Sequence, residues 1–440
     1  MPPLHGLTVD ALANRRAFVA LSALAYAVLV AHLLFIPYAF SPLPFDEALR
    51  RFSQMRWLHL GADQNVALVS RGLMWLPLGT LLGAAITPHR RQVEVPALVI
   101  AIVLGSAWAI VVNFAQLWFP ERTFSMNNLV AEICGVTVGA LVWCTSGANA
   151  MRWWRRLASG GARSLEAALD GYVILYLISS LLPFDFVTGT VDLETKLTSP
   201  LYGVWLAPVG CGPAPCGAKF LAVALASVPC GWWIAARRSW ERHVWLTALL
   251  LAAIVATGIE LLHFMMVSGV SQGASIVART VGTVLGAVSY SRRQWLAGLD
   301  MNRVGRLAVL GLLVPYLFVV FYVAGWFRAK PLGFSAAIAR WDHVVWTPFY
   351  YVYYNPYTST MFSALIHFGL YAAVGVMCWL WVHNRDRVQV WLAAAFAAPL
   401  CFAAETSKVL LSDRMPDYSD VFIAIASATL MLAVLRLLSR

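Results

Sequence analysis

Stretches of about twenty apolar residues recur along the whole chain, and they limit what it can become. They fall at 17–38, 64–87, 95–119, 128–146, 166–187, 216–236, 243–268, 274–290, 306–327, 360–382, 388–411 and 420–438. A bilayer core holds no water to satisfy free backbone N–H and C=O groups, so segments of this length and polarity must be helical. The expected fold is therefore an all-α, polytopic transmembrane helix bundle of about twelve helices. Composition agrees: 60% of the residues are hydrophobic and 12% charged, against about 45–50% and 25% in soluble domains. The first run follows Arg15 and Arg16 but is longer than the roughly 7–15 residues of a signal-peptide core, so it reads as a retained helix.

An internal ruler lies over these runs. Counting from Asn113, Gln116 stands at +3, Arg122 at +9, Ser125 at +12, Asn128 at +15, Gly135 at +22 and Gly139 at +26. The same steps from Glu260 reach His263, Gly269, Gln272, Ser275, Gly282 and Gly286. From Glu405 they reach Lys408, Arg414, Asp417 and Asp420, after which the glycines are absent. The anchors are 147 and 145 residues apart, so the chain reads as three repeats of a four-helix unit, at 1–150, 151–303 and 304–440. A weaker upstream match sets Pro77 and Gly79 beside Pro208 and Gly210, and beside Pro348. A proline there starts or kinks a helix and leaves backbone groups in need of partners.

These steps resemble the signature of the VanZ-like family, named for a teicoplanin-resistance protein of bacteria. That signature has an acid, then Gln at +3, Arg at +9, Ser at +12, Asp at +15, Asn at +19 and glycines at +22 and +26, with an upstream Asn-apolar-Pro-x-Gly element. The first repeat matches at Gln116, Arg122, Ser125, Gly135, Gly139, Pro77 and Gly79, with Asn113, Asn128 and Glu132 replacing the acid, the Asp and the Asn. The second keeps Glu260, Gly282, Gly286, Pro208 and Gly210, and puts His263, Gly269, Ser275 and Arg279 at other places. The third keeps Glu405, Arg414 and Asp420. The resemblance implies an envelope-associated membrane protein, from a family tied in one branch to antibiotic resistance and without an established chemistry. No repeat carries the whole signature and the first lacks the anchoring acid, so the expectation is one polar site pooled where the three repeats meet.

Basic residues set the orientation. Arg90, Arg91, Arg152, Arg155, Arg156, Arg237, Arg238, Arg292 and Arg293 crowd the loops after even-numbered helices, and Arg15, Arg16, Arg436 and Arg440 mark the termini. By the positive-inside rule both termini are expected in the cytoplasm, in the inner membrane of a bacterium, with the polar breaks at 120–127, 269–273 and 412–419 outside. The net charge of +11 thus reads as topology and not as a nucleic-acid surface.

An ionisable side chain inside a membrane helix should face the bundle and find a partner. Glu260 and His263 share one helix face, with Arg279 on the next helix as the partner for Glu260, while Lys408 can pair locally with Glu405. Asp417 or Ser419 suits a helix N-cap, and the forked guanidinium of Arg122 suits a lipid phosphate. The candidate binding residues are Gln116, Arg122, Glu260, His263, Arg279, Glu405, Arg414 and Asp420, each of which also has a plain reading as an interhelical pair or interfacial group. Glu-x-x-His is half of a di-iron ligand set that needs two such motifs plus two more carboxylates. Only one is present, so no metal or other cofactor is expected. Gly135/Gly139 and Gly282/Gly286 are small-xxx-small pairs for close helix packing. Cys211 and Cys216, in CGPAPC, form a local disulfide outside or stay as two thiols. The sequence holds no nucleophile–base spacing, H-E-x-x-H or P-loop, and whether the chain is an enzyme stays open. The leading expectation is a protein that binds or handles membrane lipids or lipid-linked cell-envelope precursors. The alternatives are an intramembrane hydrolase or transferase at the outer leaflet, and a structural assembly protein.

Overall fold

Each of the twelve apolar stretches forms a helix in the computed structural model, which describes residues 9–57, 62–87, 95–119, 125–182, 184–187, 189–198, 213–238, 243–292, 301–355, 357–382 and 387–439. The chain divides into two compact units, residues 1–153 with 352–357, and residues 154–351 with 358–440. The first contains α1 (Val9–Phe35), α2 (Phe45–Ser53), α3 (Ala62–Ile86), α4 (Val95–Ala115) and most of α5 (Met126–Ala158). Val30, Leu34, Trp75, Leu78, Val112 and Val136 form its core. The second contains α6 (Gly161–Ser180), α7 (Thr190–Thr198), α8 (Pro213–Arg237), α9 (Val244–Phe264) and α10 (Gly273–Ser291). There follow α11 (Met301–Ala324), α12 (Phe334–Trp341), nearly all of α14 (Tyr357–Trp381), α15 (Trp391–Ser407) and α16 (Ser419–Leu438), while the short α13 (Tyr351–Tyr354) falls mostly in the first unit. Within this second unit α6 packs against both α8 and α16.

Ten of these helices, all but α6 and α10 among the twelve, are long and apolar enough to cross a membrane. The two exceptions carry their polarity inside: α6 has Arg163, Glu166 and Asp170 in its first half, and α10 has Arg279 among glycines, serines and threonines. α10 is lodged along α8 and α9. Leu250, Ile254 and Leu261 of α9 and Val99, Val103 and Ile110 of α4 are exposed. Faces of that size are tolerable only where the surrounding medium is lipid.

The helix ends differ from the sequence expectation in two places. The run expected at 128–146 continues as one helix to Ala158, about 50 Å long at 1.5 Å per residue. Most of the basic segment 151–164, expected as a loop, is therefore helical. Trp, Arg, Leu and Ala all sustain a helix, and only the left-handed Gly160 and Gly161 break it. The run expected at 166–187 ends at Ser180, and residues 184–187 instead pair with the chain beyond α9.

Three contacts recur at matching places along the chain. A tyrosine on the first helix donates its hydroxyl to a carbonyl of the second: Tyr26 to Met74 O at 2.8 Å, Tyr172 to Ala226 O at 2.6 Å and Tyr316 to Leu370 O at 3.2 Å. Five residues after each acceptor, a glycine lies against the fourth helix. A Cβ built on Gly79, Gly231 or Gly375 would stand 2.0, 1.9 or 2.4 Å from the carbonyl oxygen of Val136, Thr283 or Ala428, each 23 residues past its anchor. This corrects the upstream match. The counterpart of Pro77-x-Gly79 is Pro229-x-Gly231 in α8, and in the third repeat it is Gly375; Pro208 and Gly210 lie outside the described residues.

The third recurring contact closes the polar break. Ser41 N donates to Trp118 O at 2.8 Å; Val187 N to Met265 O at 2.8 Å and Val267 N to Asp185 O at 2.7 Å; Leu332 N to Leu410 O at 2.7 Å and Ser412 N to Lys330 O at 2.9 Å. A basic side chain from the short helix then ties down the loop. Lys196 of α7 donates to Met266 O at 2.8 Å and to Gly269 O, and Arg340 of α12 donates to Ser412 O at 3.0 Å and Arg414 O at 2.6 Å. In the first repeat, Arg50 and Arg51 of α2 pair with Glu47 on their own helix.

Candidate functional site

The buried charges gather at one end of each four-helix set, under the polar break where the third helix ends and the fourth begins. Each set has its own carboxylate. In the first repeat it is Glu132, the seventh residue of α5 and fully buried. Arg71 of α3 donates to it at 2.9 Å, and the Asn113 amide of α4 donates to its other oxygen. The sequence reading had this repeat lacking the anchoring acid, with Glu132 in place of the Asn at +19. The acid is present at +19, directly opposite the anchor, as the Asn113–Glu132 contact shows. Gln116 donates instead to Leu34 O, the last turn of α1, at 3.0 Å. Arg122 lies outside the described residues.

In the second repeat the carboxylate is the anchor itself. Glu260 accepts from Arg279 of α10, which stands at +19, and from the backbone N–H of Gln272 at 2.7 Å. His263 Nδ1 is 3.5 Å from Glu260 Oε1, and its Nε2 donates to Ser180 O at 2.7 Å, so the +3 residue reaches the end of the first helix as Gln116 does. Lys219 of α8 adds a hydrogen bond to Gln272 Oε1 at 3.1 Å. Arg279 keeps one donor, Nε, buried and without a partner among the described residues.

In the third repeat Glu405 is held by Lys408 at 2.6 Å and by the backbone N–H of Asp417 at 2.8 Å. Asp417 also accepts from Ser419 N at 3.0 Å at the start of α16. Asp420, buried one residue further on, faces His367 Nε2 of α14 at 3.3 Å. Arg414 is not part of this cluster; its side chain lies near Gly325, and its carbonyl accepts from Arg340.

Each of the three clusters is partnered within its own stretch of four helices. A buried carboxylate is costly unless paired and hydrogen-bonded, and the nearest source of partners is the helix packed against it. The sequence reading also missed Arg71 and His367. Both stand eight residues before the glycine that packs on the fourth helix, so an alignment of the second helices on that glycine would have found them. The four fourth-helix glycines make the approaches their spacing suggested: Gly135 on Gly72 O, Gly139 on Leu76 O, Gly282 on Ala224 O and Gly286 on Val228 O. Cys216 is disulfide-bonded, and Cys211 lies outside the described residues. Outside the spans, burial holds the Lys196 amine below its usual range, against the opposing pull of Asp185.

The second repeat also has a cavity. Between α6, α8, α9 and α10 lies a space of about 320 Å³, walled by Leu177, Trp233, Ile234, Val255 and Ile259, with Arg279 and Thr283 at its polar edge. A larger one of about 500 Å³ between α11, α14 and α15 is walled by Tyr316, Met377, Trp381 and Phe396, with no charged residue in its lining.

Lipid-facing helices around buried, paired charges define an integral multi-pass membrane protein with ten candidate transmembrane helices. No family model, no curated protein and no solved structure matches the chain.

Proposed function

We propose that this protein is an envelope-associated, VanZ-like protein of a bacterial inner membrane that binds a lipid or a lipid-linked cell-envelope precursor, with its termini in the cytoplasm. The observation that carries the reading is the cavity of the second repeat. Its volume, about 320 Å³, is within the usual range of ligand pockets. Its walls are aliphatic and aromatic, as an acyl or prenyl chain requires, and Arg279 at its edge holds a buried donor that nothing among the described residues satisfies. An orphaned N–H in such surroundings costs about 1–3 kcal/mol, and an ester or phosphate oxygen of a lipid would relieve that cost. The arginines of the loops support the orientation, which puts the polar clusters toward the outer leaflet.

The test is lipid retention through delipidating purification, read by native mass spectrometry. Val255 lines the cavity and is 45% exposed, so Val255→Trp fills the space without overpacking the interior. Arg279→Lys keeps a cation beside Glu260 and removes the Nε donor. Wild type should retain a lipid that both variants release while keeping their folded elution profile. Equal retention in all three proteins, or none in wild type, would sink the proposal.

A further inference from the structure

The third repeat holds a cluster that lipid binding does not use. His367 of α14, Glu405 of α15 and Asp420 of α16 are all buried, and one ligand atom from each lies within 4.8 Å of the other two. The histidine tautomer is informative. Its Nδ1 stands 2.9 Å from Ser363 O. A carbonyl oxygen only accepts, so Nδ1 carries the hydrogen and Nε2 of the neutral ring presents a lone pair. That lone pair points at Asp420 Oδ2, a second acceptor, 3.3 Å away. Two buried acceptors face each other, an arrangement that calls for a bound cation or a shared proton between them. A ring N–H anchored on a backbone carbonyl, with the other nitrogen turned to a carboxylate cluster, is how proteins orient a metal-binding histidine.

Charge and spacing agree with this. Among the described residues, Glu405 and Asp420, with Asp417 beside them, are met inside the cluster by one ammonium, that of Lys408. A carboxylate offers about four lone-pair sites, so Glu405 keeps capacity after binding Lys408 and the Asp417 N–H. Ligand bonds of about 2.0–2.2 Å in a tetrahedron give ligand–ligand edges of about 3.3–3.6 Å, and the His367–Asp420 separation matches. An imidazole among the ligands favours a transition metal over Mg²⁺ or Ca²⁺. Glu260 and His263 make no comparable set: Arg279 already neutralises the acid, and among the described residues no third such ligand side chain joins them.

We propose that His367 Nε2, Glu405 and Asp420 bind one divalent transition-metal ion of the zinc class, leaving a fourth coordination position for water. The full chain, stripped by a chelator, is titrated with Zn²⁺ against a chromophoric competitor, and metal content is measured by plasma mass spectrometry. One zinc per chain is expected. His367→Ala and Asp420→Asn should each weaken binding by more than the ~10–100-fold that loss of an outer-shell partner costs, and Asp413→Asn, at an exposed loop position, should leave it unchanged. Wild type without competitor-resistant zinc, or folded variants that bind as well as wild type, overturns the proposal. Should the variants not fold, the Co²⁺-loaded wild type decides: intense visible absorption of a tetrahedral site supports the assignment, and its absence refutes it.

Discussion

Replacing the second-helix glycines by alanine should destabilise the three repeats in a graded order set by the geometry. A Cβ on Gly231 would fall 1.9 Å from Thr283 O, on Gly79 2.0 Å from Val136 O, and on Gly375 2.4 Å from Ala428 O. Real Cβ atoms essentially never come closer than 3.0 Å to such atoms, so the helices must separate by at least about 1.1, 1.0 and 0.6 Å respectively. The obstacle is backbone in every case, so no side-chain rotation can absorb the change. Overpacking of this kind costs about 1–3 kcal/mol, against the ~0.8–1 kcal/mol that alanine gains over glycine inside a helix. Gly231→Ala and Gly79→Ala should therefore come out clearly destabilised and Gly375→Ala less so. Gly258 in α9 supplies the opposite sign, since a Cβ there meets nothing within 4 Å; Gly258→Ala should be neutral to stabilising. Thermal unfolding in detergent, followed by thiol-reactive dye or elution profile, reads the order. At roughly 2–4 °C per kcal/mol for a unit of 150–250 residues, the Gly231 and Gly258 variants should move apart by several degrees. Equal midpoints for those two would refute the close-approach argument.

The other perturbations act on polar contacts. Glu132→Ala leaves Arg71 buried without its partner and should cost about 3–5 kcal/mol, while Glu132→Met with Arg71→Met should recover most of that; a double variant as unstable as the single would contradict the pairing. Tyr172→Phe, Tyr26→Phe and Tyr316→Phe should each lose about 0.5–1.5 kcal/mol, and no loss at Tyr172, the shortest of the three bonds, would count against the recurrent contact. Lys196→Met strips a donor from the carbonyls of the loop after α9 and should cost about 1–3 kcal/mol, with faster limited proteolysis at residues 266–272; unchanged cleavage there argues that the loop is held otherwise. For topology, cysteines placed at the exposed Asp413 and Gly161 should be labelled from outside and from inside respectively. The reverse labelling would invert the orientation.

The helices were legible because lipid as a solvent demands apolar, internally bonded segments, and that demand is written into every run of the chain. Helix ends were less legible, since nothing apolar marks where α5 stops; Gly160 does so by backbone conformation alone. The second-helix register failed for a simpler reason. Gly79 precedes its anchor by 34 residues, Gly231 by 29 and Gly375 by 30. The upstream match rested on a local pattern, a Pro behind an apolar or aromatic pair, and took no account of distance: Pro77, Pro208 and Pro348 stand 36, 52 and 57 residues before their anchors.

The site was legible only where residue type and position moved together. Positions 0 and +19 touch across the third and fourth helices, through Asn113 and Glu132 in one repeat and Glu260 and Arg279 in another. Physics constrains the pair and leaves open which helix carries the acid. The supporting cation is freer still: it comes from the second helix as Arg71, from the fourth as Arg279, and from the turn after the third as Lys408. A motif that assigns one residue type to each step sees an acid lost where the fold has moved it across an interface. A purely structural role would be met by one acid and one cation, as Glu132 and Arg71 do in the first repeat. The third repeat exceeds that requirement, with Asp420 at +15 beside a carboxylate Lys408 has already satisfied and a histidine nitrogen that must accept. That surplus is why cation chemistry is assigned to the third repeat, although the second carries the more conspicuous sequence motif.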